Sequence, residues 1–343
     1  MIIYGSKPYE RMIFIILIIV LFLLITNVAC NQLFYIYDLS QRFVDTWPPN
    51  ILNKSNNHSI FSNHFKENHG FGTIIDGDYG IFNSWQFSVF KMIHIRLINH
   101  PLRTLDPHKA SIFFIPYDGG VDALVSSYDG RLIKSKCPRS GHVKNFIQNQ
   151  DSFKLFNGSR HFMIFSVIQG VSSLNSPGCK VLYREVCKYC IKLTIEVSYH
   201  KESNDSSKLI HKKYKNSAFQ YDPTWISIPY PSSFHYWQNS KIIPWNVNVN
   251  SNHRNIFVTF VGGGKTINFI SKSLREKLKY DCSKYENCLW KDTGRERSRV
   301  NLSEALHLYR RSIFCLSPPG DSPTRKGIFD SLLAGCIPVV FDP

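Results

Sequence analysis

Acidic residues are scarce in this chain. Asp and Glu number 25 against 41 Lys and Arg, giving a formal net charge of +16 over 343 residues. That balance favours anionic partners such as nucleotide diphosphates or acidic glycans. No block of basic residues is interleaved with aromatics, so no dedicated nucleic-acid surface is read and the Lys and Arg are scattered. Charged residues make up only 19% and hydrophobic ones 43%, which excludes a disordered chain and leaves an ordinary globular one. Cys187-Lys-Tyr-Cys190 has no second CxxC and no His spacing that completes a metal set, so no metal site is assigned. The Gly262-Gly263-Gly264-Lys265-Thr266 string lacks the Gly that a P-loop needs five positions before its last Gly, where Thr259 stands. Gly262 to Lys265 then reads either as a plain turn or as a lid over a phosphate.

Long apolar runs are also absent but for one. Met12 to Ile25 carries no polar group, and Thr26 to Ala29 extends it to roughly membrane-spanning length. Lys7 and Arg11 precede it, which keeps that end cytoplasmic. The reading is a cytoplasmic tail at 1–11 and a type II signal anchor at 12–29. Small residues at Val28 to Cys30 leave a cleavable signal peptide as the alternative. Either route sends the body into the secretory pathway, with a Golgi membrane location as the expectation. Sequons at Asn53, Asn57, Asn157, Asn204 and Asn301 agree with lumenal exposure. Nine cysteines in such a compartment imply disulfides. Cys282 and Cys288 are the natural pair. Cys137, Cys179, Cys187 and Cys190 offer two more in an order left open. Cys315 and Cys336 read as small buried hydrophobes.

Beyond the anchor, apolar strands are expected at Leu33 to Leu39, Ser111 to Ile115 and His161 to Ile168. An amphipathic helix is expected in Ser84 to Asn99, with Phe87, Phe90, Ile93 and Leu97 on one face. Pro48 to His69 reads as a polar surface loop and 198–216 as an exposed insertion. This α/β alternation occupies 30–250. A second α/β unit occupies 251–343, with a strand at Asn255 to Val261, helices at Ile267 to Leu278 and Leu302 to Arg311 (the latter capped by Asn301 or Ser303), and a closing βαβ unit. That last unit, SIFCLSPPGDSPTRKGIFDSLLAGCIPVVFDP, is the most informative stretch of the chain. A strand at Ile313 to Leu316 breaks at Pro318-Pro319-Gly320. Asp321, Ser322 and Thr324 supply N-cap types for a helix reaching Gly335, and Ile337 to Phe341 forms the next, parallel strand. Its turn gathers Gly320, hydroxyls, a helix N-terminus, Arg325 and Lys326, which suits a diphosphate.

The same string resembles the donor-binding motif of the exostosin-type glycosyltransferases, close to F-C-L-x-P-x-G-D-S/T-P-x-S-x-R-x-F-D-A-x-x-x-G-C-I-P-V. Four earlier segments resemble that family in order: FYIYDLSQRF from Phe34, RTLDPHKASIFFIPY from Arg103, NGSRHFMIFS from Asn157 and WISIPYP from Trp225. The resemblance implies a GT-B-like fold, two Rossmann-like domains facing a cleft. It implies transfer of a sugar, inverting and metal-independent, from a nucleotide diphosphate (a UDP-sugar) to a glycan or glycoprotein acceptor. No cofactor is needed beyond that co-substrate, and homo- or hetero-oligomers with related transferases fit the family pattern. On this reading Gly320, Asp321, Ser322, Thr324, Arg325 and Lys326 bind the donor, and Asp330 holds the ribose hydroxyls. The family's usual Arg falls at Gly327, so Arg325 and Lys326 must supply the missing charge. The catalytic base is sought in the first domain, at Asp118 or His161; Arg160 stands where the family is commonly acidic. Family members normally continue beyond the motif strand, so 251–343 reads as a truncated donor domain. Two alternatives stay open: a non-catalytic glycan-binding or scaffold relative, and a Golgi sulfotransferase. The sulfotransferase would want its phosphate loop after the first lumenal strand, where DLSQRF stands instead.

Overall fold

The computed structural model describes residues 32–39, 67–128, 137, 139–169, 177–197, 222–235, 254–263, 266, 269–292 and 302–341. The apolar run at 12–29, most of the polar stretch at 48–69, the insertion at 198–216, Gly264, Lys265 and the sequons other than Asn157 lie outside those residues. Among the described residues no helix is long and apolar enough to cross a membrane.

The first half contains strands β1 (Phe34–Ile36), β2 (Ile74–Asp76) and β3 (Ile81–Phe82), helix α1 (Val89–Ile98), then β4 (Arg103–Thr104) and β5 (Ile112–Phe114). Helices α2 (Gly119–Tyr128), α3 (Ser140–Gln148) and α4 (Asp151–Phe156) lead to β6 (His161–Ile168). A short helix α5 (Pro177–Lys180) runs into a π-helical stretch (Val181–Val186) before β7 (Ile191–Glu196) and β8 (Trp225–Ser227). Six of these strands form one parallel sheet in the order β4-β1-β5-β6-β7-β8. Helices cover both faces, so the central strands are apolar without interruption. Alternation along a strand still decides which layer each side chain joins. Phe113, Ile115, Met163, Phe165 and Val167 pack with Val143 and Ile147 of α3 and Phe153 of α4. Phe114 and Ile164 point the other way, onto Val89 of α1. Phe90, Ile93 and Leu97 border that second layer, as their spacing predicts; Phe87 borders it too but lies in the turn before α1, which begins at Val89 rather than Ser84.

The second half contains β9 (Ile256–Gly262), α6 (Phe269–Cys282), β10 (Cys288–Asp292), α7 (Leu302–Arg311), β11 (Ser312–Ser317), α8 (Lys326–Leu333) and β12 (Ile337–Val340). Its four strands form a second parallel sheet, β10-β9-β11-β12. The predicted βαβ unit is present. Gly335 ends it as expected of a residue past a helix: its φ of 74° is left-handed, and the next amide, Cys336, donates to Ser331 O at 2.9 Å.

The structure corrects three readings. Cys315 and Cys336 are not free hydrophobes; they form a disulfide between β11 and the approach to β12. Cys282–Cys288 is bonded as expected, and Cys137 pairs with Cys179, which leaves Cys187 and Cys190 as buried thiols. The N-cap of α8 is Arg325, with no side-chain cap bond, so neither Asp321, Ser322 nor Thr324 caps it. Ser303 lies inside α7 rather than capping it.

The two halves also share a core. The antiparallel hairpin β2–β3 belongs to the first half by sequence, yet Ile81 and Phe234 pack with Leu306, Tyr309, Cys315 and Cys336 of the second. Asp76 reaches His307 at 3.2 Å, and Arg310 lies 3.8 Å from the Tyr79 ring centre.

Candidate active site

In an open parallel sheet, ligands collect where neighbouring strands send their connections in opposite directions, outside the carboxyl ends of those strands. In the second sheet that place lies between β9 and β11: β9 crosses through α6 to β10 on one side, and β11 crosses through α8 to β12 on the other. The glycine loop after β9 and the Pro318-Pro319-Gly320 turn after β11 flank this crevice.

A residue that the sequence did not single out ties the two turns together. Arg275 of α6 is 5% exposed. Its guanidinium donates to Pro319 O at 2.9 Å, to Pro318 O at 3.1 Å and to Gly263 O. Thr266 adds a side-chain bond to Asp321 at 2.7 Å. Arg325 lies directly over Gly320, where any Cβ would collide with its guanidinium. The Arg325 Nε is buried with no partner. Burial, then the charge of Arg325, lowers Arg275 to about 10. The carboxylates of Asp321 and Asp292 act on Arg275 in the opposite direction, and its guanidinium is bonded to three carbonyls, so Arg325, with its unpartnered Nε, is the cation here that suits an anion.

The remaining donor-motif residues face the first sheet. Lys326 Nζ donates to both oxygens of Asp330, at 3.0 and 2.7 Å, and to Ser233 Oγ at 2.6 Å. Asp330 Oδ1 also accepts from Ser232 Oγ at 2.8 Å and from the Ser233 amide at 2.6 Å. Oδ1 thus takes three contacts and Oδ2 one, which ties the carboxylate to α8 and to the segment after β8. Lys326 is thus paired with a carboxylate within its own helix. Glycine at 327 has a packing reason: a Cβ there would sit 2.9 Å from the Tyr309 hydroxyl, which bonds Val261 O at 3.2 Å. Ser322 donates to Thr324 O at 3.3 Å within the turn.

A second residue missed in the sequence is Glu196, the last of β7 and 7% exposed. Its Oε2 accepts from the Thr324 amide at 3.1 Å and from the Thr324 hydroxyl. Tyr230, whose ring lies 5.9 Å from that of Phe329, is raised to about 12 by burial and then by the Glu196 charge. The carboxyl edge of the first sheet thereby meets the turn that opens α8.

The structure does not bring Asp118 and His161 together. Asp118 follows β5 at the same carboxyl edge, but its Oδ1 accepts from the amides of Gly120 at 3.0 Å, Val121 at 3.1 Å and Ser166 at 3.2 Å. It fixes the start of α2, and burial pushes it up to about 6. His161 opens β6, at the opposite end of the strand. It is 1% exposed, stacks on Phe113 at 4.9 Å and bonds the Tyr37 hydroxyl through Nε2 at 2.7 Å. Burial lowers it to about 4.

That shift predicts a pH effect. A histidine held neutral stabilises the fold fully above its ordinary value near 6.5, and the contribution falls as pH drops toward 4. Between pH 7 and pH 4.5 the wild type should lose about 2–3 kcal/mol through this group. His161→Phe should lack that slope. Urea midpoints of both proteins at the two pH values check it. Asp118 works in the opposite sense, losing its contribution as pH rises through about 6, but it is common to both proteins and cancels in the comparison.

The Exostosin GT47 domain profile matches residues 32–343. The chain is 28% identical over 319 residues to the Xyloglucan-specific galacturonosyltransferase 1 of Arabidopsis thaliana, covering 90% of this chain and 43% of that protein. It is 30% identical over 315 residues to "Probable xyloglucan galactosyltransferase GT20" of the same plant, covering 90% and 51%. With the plant's Xyloglucan galactosyltransferase MUR3 it shares 26% over 324 residues, covering 90% and 48%. The chain thus spans about half the length of these curated relatives. With the profile running from the first strand through the βαβ unit, the chain belongs to the exostosin GT47 family.

Proposed function

We propose that this protein is a glycosyltransferase of the secretory pathway that moves a sugar from a nucleotide diphosphate to a glycan of the xyloglucan class. The supporting observation is the Arg325 guanidinium, held over Gly320 at the β11 turn with its Nε buried and unpartnered. The names of the relatives favour a UDP-galactose or UDP-galacturonate donor and a xyloglucan-like acceptor. The two parallel sheets suit the two lobes of a GT-B-like enzyme. The tether at 12–29 and its Golgi placement belong to the same reading.

In the proposed reaction an acceptor hydroxyl oxygen attacks the anomeric carbon from the face opposite the diphosphate. The bond to the diphosphate oxygen breaks, and the leaving group takes the electron pair. Arg325, held over Gly320, and the turn amides organised by Arg275 neutralise the charge that develops there. The hydroxyl proton needs a base on the acceptor side. Asp118 is committed to helix α2 and His161 to the aromatic layer. Glu196 takes the role: the donor displaces it from Thr324 and leaves a carboxylate at the carboxyl edge of the first sheet.

Arg325→Ala should weaken UDP binding by tenfold or more, the effect of losing one charge-assisted contact of about 1.5–3 kcal/mol. Lys326→Ala should instead act mainly on stability, because Lys326 serves Asp330. Calorimetric titration with UDP separates the two. Unchanged UDP affinity in Arg325→Ala places the diphosphate elsewhere.

A further inference from the structure

The turn that precedes β7 holds two thiols that the proposed reaction does not use. Cys187 and Cys190 are both fully buried and free. They stand at i and i+3 where the π-helical stretch Val181–Val186 ends, and the Cys190 amide donates to Cys187 O at 3.1 Å. That turn folds the two side chains toward each other, and the thiols share a hydrogen bond. The space around them is tight: a Cβ at Gly158 would lie 3.0 Å from Cys190 Sγ.

The surroundings argue for a covalent partner rather than a metal. The other six described cysteines are all bridged, and the Cys137–Cys179 bridge lies in the same core cluster as the pair. Three closed bridges are the mark of a chain that folds under oxidising conditions. Among the described residues no group of three His, Cys, Asp or Glu side chains converges, so the pair lacks the ligand set of a structural zinc site. The buried ammonium of Lys192 adds positive charge beside the thiols. It donates to Thr224 Oγ1 at 2.7 Å and to Lys188 O at 3.1 Å. In the folded protein the hydrogen bond to Cys190, then burial, hold the Cys187 thiol well above its usual range despite that ammonium, so the folded pair is a poor nucleophile.

We infer that Cys187 and Cys190 close a fourth disulfide in the mature protein, a staple across the turn that leads into the strand carrying Glu196. The oxidant is a disulfide-bearing oxidoreductase. One cysteine thiolate attacks a sulfur of that disulfide and forms a mixed disulfide. The second thiolate then displaces the partner as a dithiol. Two electrons and two protons pass from the pair to the partner, and one S–S bond forms as one breaks. Because both sulfurs are buried in the folded protein, the exchange takes place while this turn is still open. The inference does not depend on the proposed transfer reaction.

The test is peptide mapping of the full chain expressed in and purified from a eukaryotic host, alkylated in denaturant without reductant and digested with trypsin. Cleavage after Arg184, Lys188 and Lys192 yields residues 185–188 and 189–192, each with one of the cysteines. The expected product is one unalkylated species holding both segments. The Cys282–Cys288 bridge is the internal reference, seen as 280–284 joined to 285–291. Recovery of 185–188 and 189–192 as separate alkylated peptides beside an intact reference pair overturns the inference. So does linkage of either segment to Cys137 or Cys179.

Discussion

Asp330→Ala is expected to destabilise the protein by about 3–5 kcal/mol, the cost of removing one partner from a buried ion pair. The Lys326 and Asp330 side chains are 17% and 7% exposed, and their shortest contact is 2.7 Å. Without the carboxylate, the Lys326 ammonium keeps only Ser233 Oγ, and the Ser233 amide and Ser232 hydroxyl lose their acceptor. These groups join α8 to the segment after β8, so the loss falls on the junction between the two sheets. Asp330→Asn keeps the shape and an acceptor and should cost less. Urea unfolding of the three proteins measures both. The same carboxylate was the sequence candidate for the ribose hydroxyls. With Oδ1 engaged by Ser232, Ser233 and Lys326 and Oδ2 by Lys326, Asp330→Asn should change UDP affinity by less than about threefold, given that only a neutral-for-charged exchange occurs at an already bonded site. A tenfold loss for UDP and uridine, with pyrophosphate unaffected, would return Asp330 to the ribose.

Glu196→Gln should lower the transfer rate by about 100-fold or more while leaving UDP affinity nearly intact. That is the usual scale for removing a general base without disturbing the binding of the leaving group. Glutamine retains an acceptor for Thr324, so the junction with the donor turn survives. Turnover at saturating donor, together with UDP titration of the same preparation, measures the two effects. An unchanged rate removes Glu196 from the base role and directs attention back to the carboxyl edge near Asp118.

The elements of the second half other than β10, which the sequence reading missed, were legible because each obeys a local rule. A buried parallel strand is a short apolar run, Pro318-Pro319-Gly320 ends it, and Gly335 closes the helix. The pairing of Cys315 with Cys336 was not legible from that pattern. A buried thiol and a buried half-cystine look alike in sequence, and only the parallel pairing of β11 with β12 sets the two side by side. Arg275 escaped notice for a related reason. In sequence it is one charge among several on an amphipathic helix, and its value comes from three carbonyls contributed by two distant turns. A basic residue beneath a glycine loop is the only local hint.

Glu196 and Asp330 show the limit from the other side. The motif marked Asp330 for the ribose hydroxyls, but its partners Ser232 and Ser233 are almost a hundred positions away in sequence. Glu196 ends an unremarkable strand next to the insertion at 198–216, with no neighbouring residue to suggest that it reaches Thr324. His161 was proposed on its motif position, whereas sheet register sets it beside Phe113. Departures can also be explained only in three dimensions: Gly327 breaks the family pattern because Tyr309 occupies the space a side chain would need.

The central claim is that this protein transfers a sugar from a nucleotide diphosphate. The most direct test incubates the chain with UDP-galactose or UDP-galacturonate and a xyloglucan oligosaccharide, then records the mass of the oligosaccharide and the UDP released. The account predicts an oligosaccharide heavier by one sugar residue, with matching UDP, and loss of both products in Arg325→Ala. A preparation that binds UDP yet adds no sugar and releases no UDP from either donor would contradict it, and would favour a glycan-binding relative that keeps the fold without the reaction.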